Sequence, residues 1–534
     1  MINLRILGRN IASNVTGFAV QVAVAFLLTP FILHTLGDAR YGVWVLVMGL
    51  TGYYGLLDVG FRSGLTQYLA RYLATGDFDK LNRTVSTGFV ALVGCGAIIS
   101  IASVLLGHFA HAIFNLPTEV EREVVWCIWI VGGSVAIQFA FFPFSAVFTA
   151  TQRFDIANII GVLTRLAGAA ATYICLKAGY GLVGLSLVTA GSNLVDYGLR
   201  WRIAYRILPQ LRVSPRLTNW SSCWELASFG LWNFAIAGGS RLISYTHSII
   251  IGIFMPVAAI ASYALASSLR NYFEQVFIPI GHVFFPAATQ LDAAGNVAGL
   301  RRMYMGGSRF LYTLAIVLGV IAIFLADDFF RLWVGARYVE TGGFGSVSLL
   351  FCLLLVGTVC AAGQRIGYQV LMGIRQLKTL SLLFATEGAC NLLLSLILIR
   401  PYGLIGVAIG AMIPAVAFQS FLYPLFLGRL LEIPMLSYVR HVLVRPVIVG
   451  LILCLFMVIF RQVGPASNWA LFFLYGSISM SFACAATIVL GLDKAERYGF
   501  FDKAYRLVRP REQSARVPKI RSRPNLIVQP EKSG

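Results

Sequence analysis

The stretch TVSTGFVALVGCGAIISIASVLLGHFAHAIFNLPT, residues 84–118, contains no Asp, Glu, Lys or Arg. About 20 apolar residues in helical form cross the hydrocarbon core of a bilayer, so this stretch is long enough to span it. Charge-free runs of the same kind recur at 124–152, 242–269, 401–428 and 462–492. The whole chain of 534 residues is 58% hydrophobic and 12% charged, with a mean hydropathy of +0.79. A soluble chain carries about twice that charge. The composition therefore specifies an all-α polytopic membrane protein.

Working outward, fourteen spans are expected, at about 10–34, 40–61, 84–107, 124–150, 156–176, 181–199, 226–254, 257–285, 306–326, 343–363, 379–399, 403–427, 444–461 and 467–491. An even count places both termini on one side. With that side cytoplasmic, 31 of the 42 Lys and Arg residues fall inside and 7 outside. Cytoplasmic loops carry such an excess, which sets the orientation. The remaining four, Arg165, Arg241, Arg270 and Arg309, lie within or at the edge of spans. The net charge of +20 is thus a loop property and implies no nucleic-acid partner. The partner implied is the bilayer itself. The N-terminal apolar run extends to Leu33, too long for a cleaved signal. The nine cysteines form no CxxC pair and read as packing residues. Residues 62–75 place Leu65, Leu69, Tyr72 and Leu73 at helical spacing, as an interfacial helix would.

An internal repeat organises the spans. Residues 180–187 read YGLVGLSL and residues 402–409 read YGLIGVAI, an offset of 222. The same offset pairs Tyr41 with Tyr263 and Arg153 with Arg375. Two pseudo-symmetric six-helix lobes follow, 1–212 and 213–428, with two extra helices in 429–492 and a basic tail at 493–534. Two such lobes facing one another suit alternating access around a central cavity. A scaffold or simple channel has no need of them.

Charge inside a span costs at least about 2.5–3.5 kcal/mol and marks a cavity or a pair. Arg241 shares a helical face with Tyr245 and Ser248; Arg270 and Glu274 are one turn apart, as are Asp58 and Arg62. Asp196 lies near the inner end of its span, and His247 and His282 stand alone. The histidines read as lining or core residues, and Asp58–Arg62 as a local i,i+4 pair. The offset sets Arg165 against Glu387. Two readings stay open for these: an ion pair that locks one conformation, or an anion contact at Arg165 with ion coupling at Glu387. Arg241 and Arg270, with only Glu274 to neutralise them, suit a phosphate or pyrophosphate, whose oxygens a guanidinium binds bidentately. The candidate head-group residues are therefore Arg165, Arg241 and Arg270, and the candidate coupling or gating residues Asp58, Glu274 and Glu387. No P-loop, HExxH, GxSxG or dinucleotide fingerprint is present, so neither an enzyme nor a bound cofactor or metal is expected.

The segments LGDARYGVW (36–44), LDVGF (57–61) before Arg62, TQRFD (151–155) and FRLWVG (330–335) occur in an order and spacing that resembles polysaccharide-export flippases of the Wzx type, in the multidrug/oligosaccharidyl-lipid/polysaccharide exporter superfamily. The resemblance covers all fourteen spans and leaves out the tail. It implies a cationic central cavity and, as substrate, an oligosaccharide on undecaprenyl pyrophosphate flipped to the periplasmic leaflet of the inner membrane. O-antigen, capsule or exopolysaccharide synthesis would use it, with a polymerase and a chain-length regulator as partners. A cation-coupled drug antiporter of the same superfamily is the alternative, but an acidic cavity would suit one better than three arginines. The related peptidoglycan-precursor flippases carry arginines in span one, whereas no charge stands here between Asn10 and His34.

Overall fold

The computed structural model describes residues 4–491 except 59 and 341–344, and the basic tail lies outside them. Among the described residues there are helices and no strand. The first repeat comprises α1 (Leu4–Tyr53), α2 (Phe61–Thr75), α3 (Phe78–Ile113), α4 (Glu121–Ala150), α5 (Phe154–Lys177) and α6 (Gly181–Ile207). The second comprises α7 (Trp220–Phe254), α8 (Ala258–His282), α9 (Phe284–Ala293), α10 (Val297–Phe324), α11 (Ala326–Trp333), α12 (Val347–Gly363), α13 (Arg365–Gly373), α14 (Leu377–Ala417) and α15 (Tyr423–Leu430). The short α16 (Met435–Tyr438) then leads into α17 (Val444–Phe460) and α18 (Trp469–Ala486), which pack on α10.

Helix covers each of the fourteen apolar segments read from the sequence, over the described residues. Nine stretches are long and apolar enough to cross a membrane, and ten if α12 and α13, bent by 40°, count as one. Two of the nine, Thr16–Leu56 and Leu377–Leu430, run to 41 and 54 residues, twice the length of one crossing. Each is broken by a glycine, Gly37 at φ 78° and Gly403 at φ 56°. A left-handed residue ends one helix and starts the next in a new direction, and glycine adopts it without steric cost. The nine do not include α7 and α8, whose Ser, His, Arg and Glu residues lower their mean hydropathy.

The backbone carries the repeat more plainly than the residues do. Gly181 and Gly403, at offset 222, both have positive φ, 59° and 56°. Gly76 (φ 71°) and Gly295 (φ 63°) each precede a side-chain cap. Asp77 Oδ1 accepts from Lys80 N at 3.0 Å, and Asn296 Oδ1 accepts from Gly299 N at 2.8 Å. The amphipathic α2 thus has its counterpart in α9. One pairing shifts. The positive φ values fall at Gln152 and Arg375, so Arg375 matches Gln152 in place of Arg153. One residue fewer separates Arg375 from Gly403 than separates Gln152 from Gly181, and the offset slips accordingly.

The two ends of the bundle are packed differently. At the end away from α2 and α9, one continuous core joins both repeats. It includes Leu46, Phe114, Val124 and Leu185 from the first and Val257, Ile260, Phe330 and Leu350 from the second. At the other end, which bears the excess of basic residues, two separate cores form. One is built from Leu65, Leu69, Leu81 and Phe148 with Leu226 of α7, the other from Phe277, Leu300, Tyr304, Leu371 and Leu427.

Candidate functional site

Each repeat encloses a cavity. The second repeat's, about 230 Å³, is walled by α7, α8, α12, α13 and α14. The first repeat's, about 370 Å³, is walled by the equivalent α1, α4, α5 and α6.

In the second cavity the i,i+4 spacing puts Arg270 and Glu274 on one face of α8, with Arg270 Nη1 3.4 Å from Glu274 Oε2. Arg365 opens α13 and donates from Nη2 to Glu274 Oε1. Its position is set by Gln364, at the bend after α12. The Gln364 amide donates to Tyr438 at 2.8 Å and to Tyr312 at 3.4 Å, and its oxygen accepts from Tyr304 at 3.2 Å. Glu387 is 3% exposed and accepts from Gln419 Nε2 at 2.9 and 3.1 Å. Gln419 lies in a π-helical turn, Phe418–Leu422, and its own oxygen accepts from Tyr368. His247 Nε2 is 2.8 Å from Asn391 Oδ1, so this histidine is a partnered lining residue. By formal count, two arginines and two glutamates balance in the lining.

In the first cavity Arg200 holds Asp196 at 2.6 Å, and Thr164 donates to the same carboxylate at 3.3 Å. Arg165 lines this cavity and makes no hydrogen bond or ion pair among the described residues. With Gln138, Thr172, Thr189, Ser192 and Asn193 around it, the wall is a mixture of hydroxyls, amides and one uncompensated positive charge.

The structure therefore separates residues that the sequence set together. Arg165 and Glu387 occupy equivalent helices but line different cavities, and Glu387 takes Gln419 as its partner. Equal offset in a repeat gives equivalent places, which the symmetry puts on opposite sides. Arg241 and Arg270 are apart as well. Arg241 donates to the Gly52 carbonyl of α1 and stacks 5.6 Å from the Tyr245 ring, while only Arg270 lines the second cavity. The face bearing Arg241, Tyr245 and Ser248 packs on a glycine stripe that begins in α1 with Gly49 and Gly52 and ends at Gly55 in the 3-10 turn Tyr54–Leu56, where any Cβ would meet those side chains. Asp58 serves the turn before α2. It accepts from Gly60 N at 2.8 Å and lies 3.6 Å from Arg62, the local pair expected from their spacing. The Arg62 guanidinium lies 4.0 Å over the Phe139 ring and repels that of Arg241 across the junction between repeats. Sequence reading passed over Arg365, Gln364 and Gln419. Arg365 was legible only as a loop residue, because the α12–α13 bend leaves no mark in hydropathy.

The family model for polysaccharide biosynthesis proteins matches residues 7–292. This chain belongs to that family. Within reach of the family is a protein of Bacillus subtilis (strain 168) named "Uncharacterized membrane protein EpsK", 20% identical over 451 residues, or 82% of this chain and 85% of that one. A Shigella flexneri protein named "Putative O-antigen transporter" is 21% identical over 412 residues, 75% of this chain and 93% of its own. Among solved structures, the lipid II flippase MurJ in an inward closed conformation superposes with a TM-score of 0.70 at 14% identity, covering 93% of this chain and all of MurJ. At that identity the likeness is one of fold. The polysaccharide biosynthesis family member is thus a multi-pass membrane protein with a transporter fold.

Proposed function

We propose that this protein flips an oligosaccharide linked to undecaprenyl pyrophosphate from the cytoplasmic to the periplasmic leaflet of a bacterial inner membrane, for O-antigen, capsule or exopolysaccharide synthesis. In this reading the chain crosses fourteen times, with lobes at 1–212 and 213–428, extra helices at 429–492 and both termini in the cytoplasm. The basic end faces the cytoplasm, so the separated cores describe an inward-facing state. The observation that carries the reading is the set of arginines within apolar helices: Arg165, without a hydrogen bond or ion pair among the described residues, and Arg270 and Arg365 sharing Glu274. Such residues are costly in a membrane and are kept where they meet substrate. Glu387 and Glu274 supply carboxylates for coupling to an ion, whereas Asp58, occupied by Gly60 and Arg62, holds a turn. A polymerase and a chain-length regulator would receive the product.

Expression in a flippase-null strain whose glycan is otherwise intact tests this. Surface polysaccharide should return. Normal membrane insertion without polysaccharide, accompanied by resistance to cationic drugs, would favour the antiporter.

A further inference from the structure

One carboxylate in the second cavity receives two guanidiniums from different helices. Glu274 Oε2 faces Arg270 Nη1, and Glu274 Oε1 accepts from Arg365 Nη2. All three side chains are mostly buried, the arginines 18% exposed and Glu274 27%. Both arginines are fixed from elsewhere, Arg270 by Asn271 and Arg365 by the Gln364 clamp at its back. Arg365 also keeps a buried Nε–H with no acceptor. A buried guanidinium donor without a partner is destabilising, so the carboxylate fills the site incompletely. Two arginines converging on one acidic group is also how proteins grip a phosphate, with parallel N–H donors on paired oxygens. Ser267, Asn271 and Thr358 line the space beside it and could take further phosphate oxygens.

We propose that Glu274 is an internal stand-in for the substrate's anionic group, and that a phosphate or pyrophosphate enters by displacing it from Arg270 and Arg365. This rests on the transport reading above and adds a role for Glu274. In the resting protein the carboxylate keeps two cations from facing each other in a poorly screened interior. A ligand must therefore bring more charge and more acceptors than one carboxylate to take the arginines over. Multiply charged phosphates meet that condition and singly charged sugar acids do not. The exchange makes the site selective for the pyrophosphate end of a lipid-linked sugar, and keeps it closed to anionic sugars alone.

The test uses the purified full chain in detergent, with inorganic pyrophosphate and free glucuronate as separate probes, read by calorimetry and by the shift in thermal midpoint. Glu274→Gln removes the competitor and should bind pyrophosphate about tenfold more tightly than the parent. Glu274→Asp, whose shorter carboxylate cannot reach both arginines, should give a smaller gain and guards against misfolding of the amide variant. Adding Arg365→Ala to Glu274→Gln should abolish the gain. Unchanged or weaker pyrophosphate binding by both Glu274 variants, each with a cooperative thermal transition, would overturn the exchange. Glucuronate binding that rises in place of pyrophosphate would overturn the phosphate assignment. If the pyrophosphate gain is found while no variant nor the parent restores surface polysaccharide, the exchange stands and the flippase reading falls.

Discussion

Two cavities occupy equivalent places in the two repeats, and they are charged differently. The first leaves Arg165 without a hydrogen bond or ion pair among the described residues, beside an Asp196–Arg200 pair. The second ties every charge to a partner, Arg270 and Arg365 to Glu274, and Glu387 to Gln419. The difference lies in side chains and in two local backbone features of the second cavity, the α12–α13 bend and the π-helical turn at Phe418–Leu422. On the proposed function the lobes would divide the work. Arg165 would meet an anion that enters between the lobes, and Arg270 and Arg365 would meet one only after Glu274 is displaced.

The largest effect is expected from the bare charge. Arg165→Ala removes no hydrogen bond or ion pair among the described residues, so membrane abundance should hold while surface polysaccharide falls. The loss of one charge-assisted contact to substrate, about 1.5–3 kcal/mol, corresponds to on the order of tenfold or more in transport. Wild-type polysaccharide at wild-type abundance would erase the contrast between cavities. Arg241→Ala should behave in the reverse sense. Its guanidinium is held by the Gly52 carbonyl at a helix–helix contact, so protein level should drop before specific activity does. An immunoblot of membranes beside a polysaccharide gel separates the two outcomes. Next comes Glu387→Gln. The amide keeps the volume and loses the charge, and a coupled transporter should then export a few-fold more slowly and respond less to collapse of the ion gradients. Export with an intact response to an uncoupler would remove Glu387 from coupling.

The smallest effect is expected at the end where the repeats share a core. There Asp38 meets Arg337 and Tyr338 across the repeats, Trp333 Nε1 donates to the Phe26 carbonyl at 2.8 Å, and Asn115 N donates to the Gly252 carbonyl at 3.0 Å. The Arg337 side chain is 76% exposed, and exposed ion pairs contribute about 0–1 kcal/mol. Arg337→Ala should therefore change thermal stability little, measured as a midpoint in detergent. By contrast, Gly42 packs so closely on the Val257 carbonyl that any Cβ would strike it. Gly42→Val should cost about 1–3 kcal/mol through overpacking.

Much of the fold was legible because hydropathy is additive along a helix. The fourteen apolar segments are helical, and the Tyr-Gly motifs at 180 and 402 do mark equivalent breaks. The site was less so. Arg165 and Glu387 were found as costly residues, but an offset cannot say which cavity a side chain enters. The glycine stripe that receives Arg241 was present in the sequence, yet only packing shows which helix it faces. Arg365 and Gln419 depend on a bend and a π-helical turn, local departures that no periodic pattern announces. His247 was placed correctly as a lining residue, since a lone histidine among apolar residues needs one partner, here Asn391.

The central claim, that the two lobes rock to move a lipid-linked sugar, is tested most directly in proteoliposomes. They would hold a cysteine-free version of the chain with cysteines introduced in place of Asp38 and Arg337, and fluorescent undecaprenyl-pyrophosphate oligosaccharide in both leaflets. A membrane-impermeant quencher then reports exchange between leaflets. The account predicts that quenching proceeds well past the outer-leaflet fraction when the cysteines are free. It predicts a halt at that fraction, as in protein-free vesicles, once a short bifunctional reagent joins them. Quenching that stops at the outer-leaflet fraction with the cysteines free, or continues unchanged after cross-linking, would contradict it.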